Sequence, residues 1–165
     1  MLITEEDIVT LPEGDPGKAL EKLKAMIGLR ALKQSIVQHL SYVYFIRERQ
    51  KHGFDDTLPP LNMIFSGNPG TGKMTVAKMM GEIYHSVGIL LRPNVTVQDG
   101  RQLTGDGGLT PQQGAEVLMN GAAGGILYID HADVLPRSEW GLALFEALLS
   151  NLSTEECGDT IVVLG

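Results

Sequence analysis

The sequence predicts an α/β fold in which a parallel sheet is covered by helices on both faces, a three-layer αβα arrangement. Three observations predict it. Short apolar runs at Leu61–Ser66, Gly125–Asp130 and Thr160–Leu164, with a strand-like stretch at Asn94–Gln98, alternate with helical periodicities. Near-continuous apolar strands separated by helices belong to sheets buried on both sides. Second, the chain has 165 residues, 43% of them apolar and 20% charged, long enough to bury about 68–70% of its unfolded surface. Third, its glycines cluster at Gly67–Gly72, Gly100–Gly108 and Gly121–Gly125, where turns between strands and helices are needed.

Residues 1–16 read as a polar lead-in and residues 17–165 as one domain. Leu20, Leu23 and Ile27 recur at helical spacing until Gly28 interrupts. A longer helix follows, with Leu32, Ile36, Leu40, Val43 and Tyr44 on one stripe, and stops near Gly53. Leu61–Ser66 is expected as a buried strand, Lys73 to about Val87 as a helix, and Asn94–Gln98 as a strand. Thr110, followed by Pro111 and by Gln113 three residues on, predicts an N-cap with a capping box, opening a helix to about Asn120. Gly125–Asp130 is a second buried strand ending in a carboxylate. Ser138 is placed to cap a helix whose inner stripe is Phe145, Leu148, Leu149 and Leu152, and Thr160–Leu164 is the last strand.

Thirteen Lys and Arg against twenty Asp and Glu give a net charge of −7, which argues against nucleic-acid and acidic-membrane partners. No apolar run approaches the roughly 18 residues that span a bilayer. The start, with two acidic residues and no basic stretch, is unlike a secretory signal. The single Cys157 rules out an internal disulfide, and a cytoplasmic location is expected.

The sharpest motif is Gly67-Asn68-Pro69-Gly70-Thr71-Gly72-Lys73, between an apolar strand and a helix. Glycines there let backbone N–H groups turn inward as an anion nest. The helix amino end adds positive potential, and Lys73 supplies a point charge for β and γ phosphates. The next position, where Ser or Thr would offer a hydroxyl to Mg²⁺, is Met74. A thioether is too soft for Mg²⁺. Thr75 comes next but is turned by about 100° along the helix.

Asp130, at the end of an apolar strand, is the candidate to hold Mg²⁺ directly or through water. Proteins that hydrolyse nucleotide with this strand carry Glu directly after the Asp to polarise water. Here the residue is His131. A neutral imidazole has the basicity for that role near pH 7 but differs in reach and charge, and a non-catalytic His131 is the alternative.

LNMIFSGNPGTGK, VAKMMGEIY and GGILYID, with Ile27-Gly28-Leu29 and Leu32-Lys33 upstream, together resemble the AAA+ ATPases of the CbbX and SpoVK group. The resemblance runs over residues 17–165. It implies a five-stranded parallel sheet of order 5-1-4-3-2 followed by a helical lid. It further implies ATP or ADP held by Gly67, Asn68, Pro69, Gly70, Thr71, Gly72, Lys73, Met74 and Thr75, with adenine near Ile27, Gly28 and Leu29, and Asp130 at Mg²⁺. The implied partners are other AAA+ domains or subunits, often in a hexameric ring, and a protein client.

Four departures qualify what the resemblance implies. Met74 and His131 replace a metal-binding hydroxyl and a catalytic Glu, and the loop Leu103–Thr110 lacks the aromatic with which the family grips substrate. The fifth strand, arginine finger and lid are expected beyond Gly165, so that Leu61–Ser66 lies on an open edge that invites pairing.

Smaller signals have plainer readings. His39, His52, His85 and His131 show no metal-ligand spacing with Cys157, Arg101 reads as a solvated loop residue, and Trp140 as packing or an interface. Three functions stay open: a nucleotide-binding AAA+ module impaired in hydrolysis, a working ATPase, and an interaction module that binds no nucleotide.

Overall fold

The computed structural model describes residues 30–56, 58, 60–103, 105, 107–152 and 160–165, together with Glu21 and Ala25. The chain divides into two compact units, Met1–Leu61 and Asn62–Gly165. The expected lead-in boundary, and most of the helical pattern from Leu20 to Ile27, lie outside the described residues.

In the first unit, α1 spans Arg30–Lys51. Ile36, Leu40, Val43 and Ile46 are buried along one stripe, at the spacing a helix needs to present one face. The side chains of Leu32 and Tyr44, expected on that stripe, lie outside the described residues. The helix stops where Gly53 turns left-handed, at φ 83°. Just beyond, Arg49 pairs with Asp56 and lies over the Phe54 ring, 4.2 Å from its centre.

The second unit runs β1 (Met63–Ile64), α2 (Lys73–Ser86), β2 (Val95–Asp99), α3 (Pro111–Gly121), β3 (Ile126–Asp130), α4 (Glu139–Leu152) and β4 (Ile161–Leu164). Short 3₁₀ turns, Gly100–Gln102 and Ala132–Arg137, follow β2 and β3. The sheet has the order β1-β4-β3-β2 and every pairing is parallel. Pairing Ile126 with Ile161 and Leu127 with Val162 sorts the side chains onto two faces. Leu127, Ile129 and Val162 join Ala115, Leu118, Leu144 and Leu148 in the core under α3 and α4. On the other face α2 comes so close that a Cβ at Gly81 would lie 3.5 Å from Ile126 Cδ1. The sheet is therefore covered on both sides, as the alternating strands and helices predicted.

Local chemistry explains the helix starts. Gln113 N–H donates to Thr110 Oγ1 at 3.3 Å, and Thr110 N–H donates to Gln113 Oε1 at 3.0 Å, closing the expected capping box. Ser138 Oγ accepts from Gly141 N–H at 3.0 Å at the start of α4. Trp140 is a packing residue: its indole N–H donates to the Leu109 carbonyl at 3.2 Å, and its ring lies against Gly105 and Gly114.

Two expectations are corrected. Leu61–Ser66 is not a fully buried strand: only Met63–Ile64 forms a regular strand, and Ile64 is 78% exposed. The reason is that β1 pairs with β4 alone among the described strands, so one flank stays open. In α4, Leu149 is exposed, and the inner stripe is Gly141, Leu144, Ala147 and Leu148, with Phe145 and Leu152 partly buried beside it. A residue one step past Leu148 is rotated by about 100° toward solvent. No helix among the described residues is long and apolar enough to cross a membrane.

The buried start of β4 depends on a side chain. Asn62 Oδ1 accepts from the Val162 N–H at 2.8 Å, extending the ladder beyond the β1 backbone. Asn62→Ala leaves that donor unpaired and should cost about 1–3 kcal/mol in urea unfolding; a loss below about 0.5 kcal/mol would show that water replaces the amide.

Candidate nucleotide site

The carboxyl ends of parallel strands all point one way, and crevices there are where such sheets bind ligands. A cavity of about 790 Å³ opens at those ends, within the roughly 300–1,000 Å³ of small-molecule sites. Gly67, Pro69, Gly70, Gly72, Lys73, Met74 and Thr75 line one side of it, and Asp130 and His131 line another. The two strongest sequence motifs, about sixty residues apart, therefore meet at one place.

The loop is built by its glycines. Gly70 and Gly72 have φ of 77° and 88°, in the left-handed region that a side chain disfavours. Asn68 and Thr71 do not line the cavity; they brace the loop, with Thr71 Oγ1 donating to the Asn68 carbonyl at 2.8 Å. Lys73 reaches back over the loop, and its Nζ donates to the Gly67 carbonyl at 2.8 Å. The decisive feature is what is missing at the helix start: Gly72 offers no side-chain cap to α2. The first N–H groups of a helix have no partner within it, so an anion at this end satisfies both their donors and the helix dipole. Ile27, Gly28 and Leu29, the expected adenine contacts, lie outside the described residues.

Thr75, expected to be turned away from the site, lines the same cavity as Met74. The first turn of α2 is thus open enough at its end to present both side chains to the crevice.

Across the cavity Asp130 ends β3 and is the register partner of Asp99 at the end of β2. Asp130 Oδ1 accepts from His131 N–H at 3.1 Å and from the Tyr128 hydroxyl at 3.4 Å. His131 has φ 53° and ψ 39°, the one left-handed non-glycine among the described residues. Such a conformation costs on the order of 1 kcal/mol or more and tends to mark functional positions. It swings the imidazole between two carboxylates: Nδ1 lies 3.5 Å from Asp130 Oδ2 and 3.8 Å from Asp99 Oδ1. That nitrogen is shielded from solvent and makes no hydrogen bond. Gly100 lets the two strand ends come together, since a Cβ there would sit 2.6 Å from the His131 carbonyl oxygen.

Asp99 is the site residue that sequence reasoning missed. Its signal was present, because Val95–Asp99, like Ile126–Asp130, is a strand that ends in a carboxylate. Arg101 is not simply solvated. Its Nε and Nη2 donate to Asp99 at 2.6–3.1 Å, and its backbone N–H donates at 3.0 Å. The Arg101 side chain, and then its backbone N–H, hold the Asp99 carboxyl down at about 2 from an ordinary 3.8. Tyr128 is shifted the other way: burial first, then the Asp130 charge, push its phenol up to about 12.

The donor set can be weighed against the ligands that the motifs imply. Loop, uncapped helix end and Lys73 fit a chain of phosphates. They fit Mg²⁺ less well, because Met74 stands where a hydroxyl would reach the metal. Among the described residues no group of three or more His, Cys, Asp and Glu side chains is arranged to hold an ion.

Sheet order, glycine loop and strand-end carboxylate define the class as a parallel α/β core of the P-loop AAA+ type. The chain is 35% identical to protein CfxQ of Xanthobacter flavus over 146 residues, 86% of this chain and 45% of that protein. It is 34% identical to protein CbbX of Cereibacter sphaeroides over 168 residues, 98% of this chain and 54% of that one. To stage V sporulation protein K of Bacillus subtilis it is 28% identical over 153 residues, 90% of this chain and 47% of that one. No protein-family model matches. The chain belongs to the AAA+ family, in the group of CbbX and stage V sporulation protein K. It spans about half the length of these relatives.

The Asp99–Arg101 pair gives a test with a definite sign. A carboxyl depressed in the folded state adds stability above its unfolded value, here 3.8, and loses it as pH falls toward about 2. Arg101→Ala should return the Asp99 carboxyl toward 3.8 in a carbon-13 NMR titration. A value still near 2 would mean that Arg101 is not the cause.

Proposed function

We propose that this chain is the ATP- and ADP-binding core of an AAA+ protein-remodelling ATPase, impaired in hydrolysis and acting through subunit contacts. On the family pattern those contacts form a ring, often a hexamer, that works on a protein client. The observation that carries the reading is the uncapped amino end of α2, facing a cavity with Lys73 on one wall and Asp130 on the other.

In this reading the backbone of Gly67–Gly72 and the first N–H groups of α2 cradle the phosphates, and Lys73 leaves the Gly67 carbonyl to meet their charge. Asp130, across the cavity, would hold Mg²⁺ directly or through water. Neither role is assisted at positions 74 and 131. Met74 offers sulfur where a hard oxygen is needed, and His131 is an imidazole, shielded at Nδ1, where a carboxylate would polarise water. Both departures fall on groups that serve hydrolysis, and neither disturbs the nest that serves binding.

A working ATPase is the second reading, and one observation favours it: Thr75, which carries a hydroxyl one position beyond the missing one, lines the cavity with Asp130.

Two experiments separate the possibilities. Lys73→Ala should weaken ATP binding at least about tenfold by calorimetry, the scale of one charge-assisted contact; unchanged affinity would show that Lys73 does not meet the phosphates, and a parent that binds no ATP would leave only an interaction module. Met74→Thr combined with His131→Glu should raise phosphate release well above that of the parent. Brisk turnover in the parent, unchanged by the pair, would contradict impairment.

A further inference from the structure

Between the ends of β3 and β4 the cavity floor carries a polar group that neither the loop nor the strand-end carboxylate accounts for. The Tyr128 residue is 1% exposed, packed within the sheet face that α2 covers, yet it lines the cavity with Gly67, Lys73 and Asp130. Its Oη lies 3.4 Å from Asp130 Oδ1. A Cβ at Gly165 would stand 2.1 Å from that same hydroxyl oxygen. The phenol thus fills the space in which a side chain at 165 would begin. The backbone there is fixed on both sides, with Gly165 N–H donating to the Ile129 carbonyl at 2.9 Å and Gly165 accepting from Ala132 N–H at 3.2 Å. Glycine at 165 and tyrosine at 128 are therefore a matched pair that delivers one O–H to the strand ends.

That O–H is poorly used by the protein itself, since 3.4 Å is long for a hydroxyl donor, whose usual reach is about 2.7–2.8 Å. A buried hydroxyl with a weak partner gains by meeting a stronger acceptor. The phosphate nest at the amino end of α2 opens into the same cavity as Tyr128 and Asp130. There the single Tyr128 proton can leave its long contact with Asp130 Oδ1 for a phosphate oxygen.

Resting on the nucleotide reading above, we propose that the Tyr128 hydroxyl is a specificity-determining residue, which hydrogen-bonds the terminal phosphate of a nucleoside triphosphate and so favours it over the diphosphate. Tyr128→Phe removes the oxygen and keeps the buried ring. The test is a calorimetric titration of the intact chain, in EDTA, with ADP and with a non-hydrolysable ATP analogue. The substitution should weaken the analogue about tenfold and leave ADP within about twofold. A residue that only supports the fold would weaken both alike, and that result, or no change in either, overturns the proposal while the nucleotide reading stands. Parent protein that binds neither ligand overturns the nucleotide reading and this proposal with it. If Tyr128→Phe does not fold, the parent alone decides: in EDTA it should bind the ATP analogue more tightly than ADP, and equal or weaker binding of the analogue overturns the proposal.

Discussion

An α-helix that begins without a cap is a liability, and here the liability organises the site. Gly72 leaves the first N–H groups of α2 unsatisfied at the carboxyl end of a parallel sheet. A side chain that capped them would stabilise the helix by only about a few tenths of a kcal/mol over glycine, and would close the nest. The remaining features follow from keeping that end open. The loop is braced by Thr71 and Asn68 from outside the cavity, and Lys73 is parked on a carbonyl. The sheet order puts β4 between β1 and β3, so the loop and Asp130 face each other across one strand width.

The opposite wall obeys a different constraint, the crowding of two acidic strand ends. Parallel register brings Asp99 and Asp130 side by side, and like charges at that spacing repel. Arg101 offsets one of them, and the left-handed His131 places an imidazole near both. Gly100 is the allowance in the backbone that lets the strand ends close up. The departures at 74 and 131 are therefore unequal: Met74 simply lacks a hydroxyl, whereas His131 sits in a local arrangement built around it.

Much of this was legible in the sequence because it is local. Glycine spacing between an apolar run and a helical pattern marked the loop, Thr110-Pro111 with Gln113 marked the start of α3, and Gly125–Asp130 marked the central strand. What escaped was either register or exposure. No spacing within the chain says that Asp99 lies beside Asp130, since parallel partners are set by crossover packing, though the carboxylate ending each strand was a usable hint. The 3₁₀ turn Ala132–Arg137 contains Pro136 and has no hydrophobic period to reveal it. Leu149 and Ile64 were read as inward because apolar residues usually are. One lies a step beyond the buried stripe of α4, and the other sits on a strand paired on one side.

The central claim is that the chain keeps a phosphate nest without the metal site that usually accompanies it. The direct measurement is the affinity of the parent chain for ATP by calorimetry, with Mg²⁺ and then with EDTA. Affinities that agree within about threefold would bear the claim out, because Lys73 and the α2 amino end then supply the binding energy. Binding that appears only with Mg²⁺ would contradict it, and would mean that Asp130 and Thr75 hold the metal despite Met74.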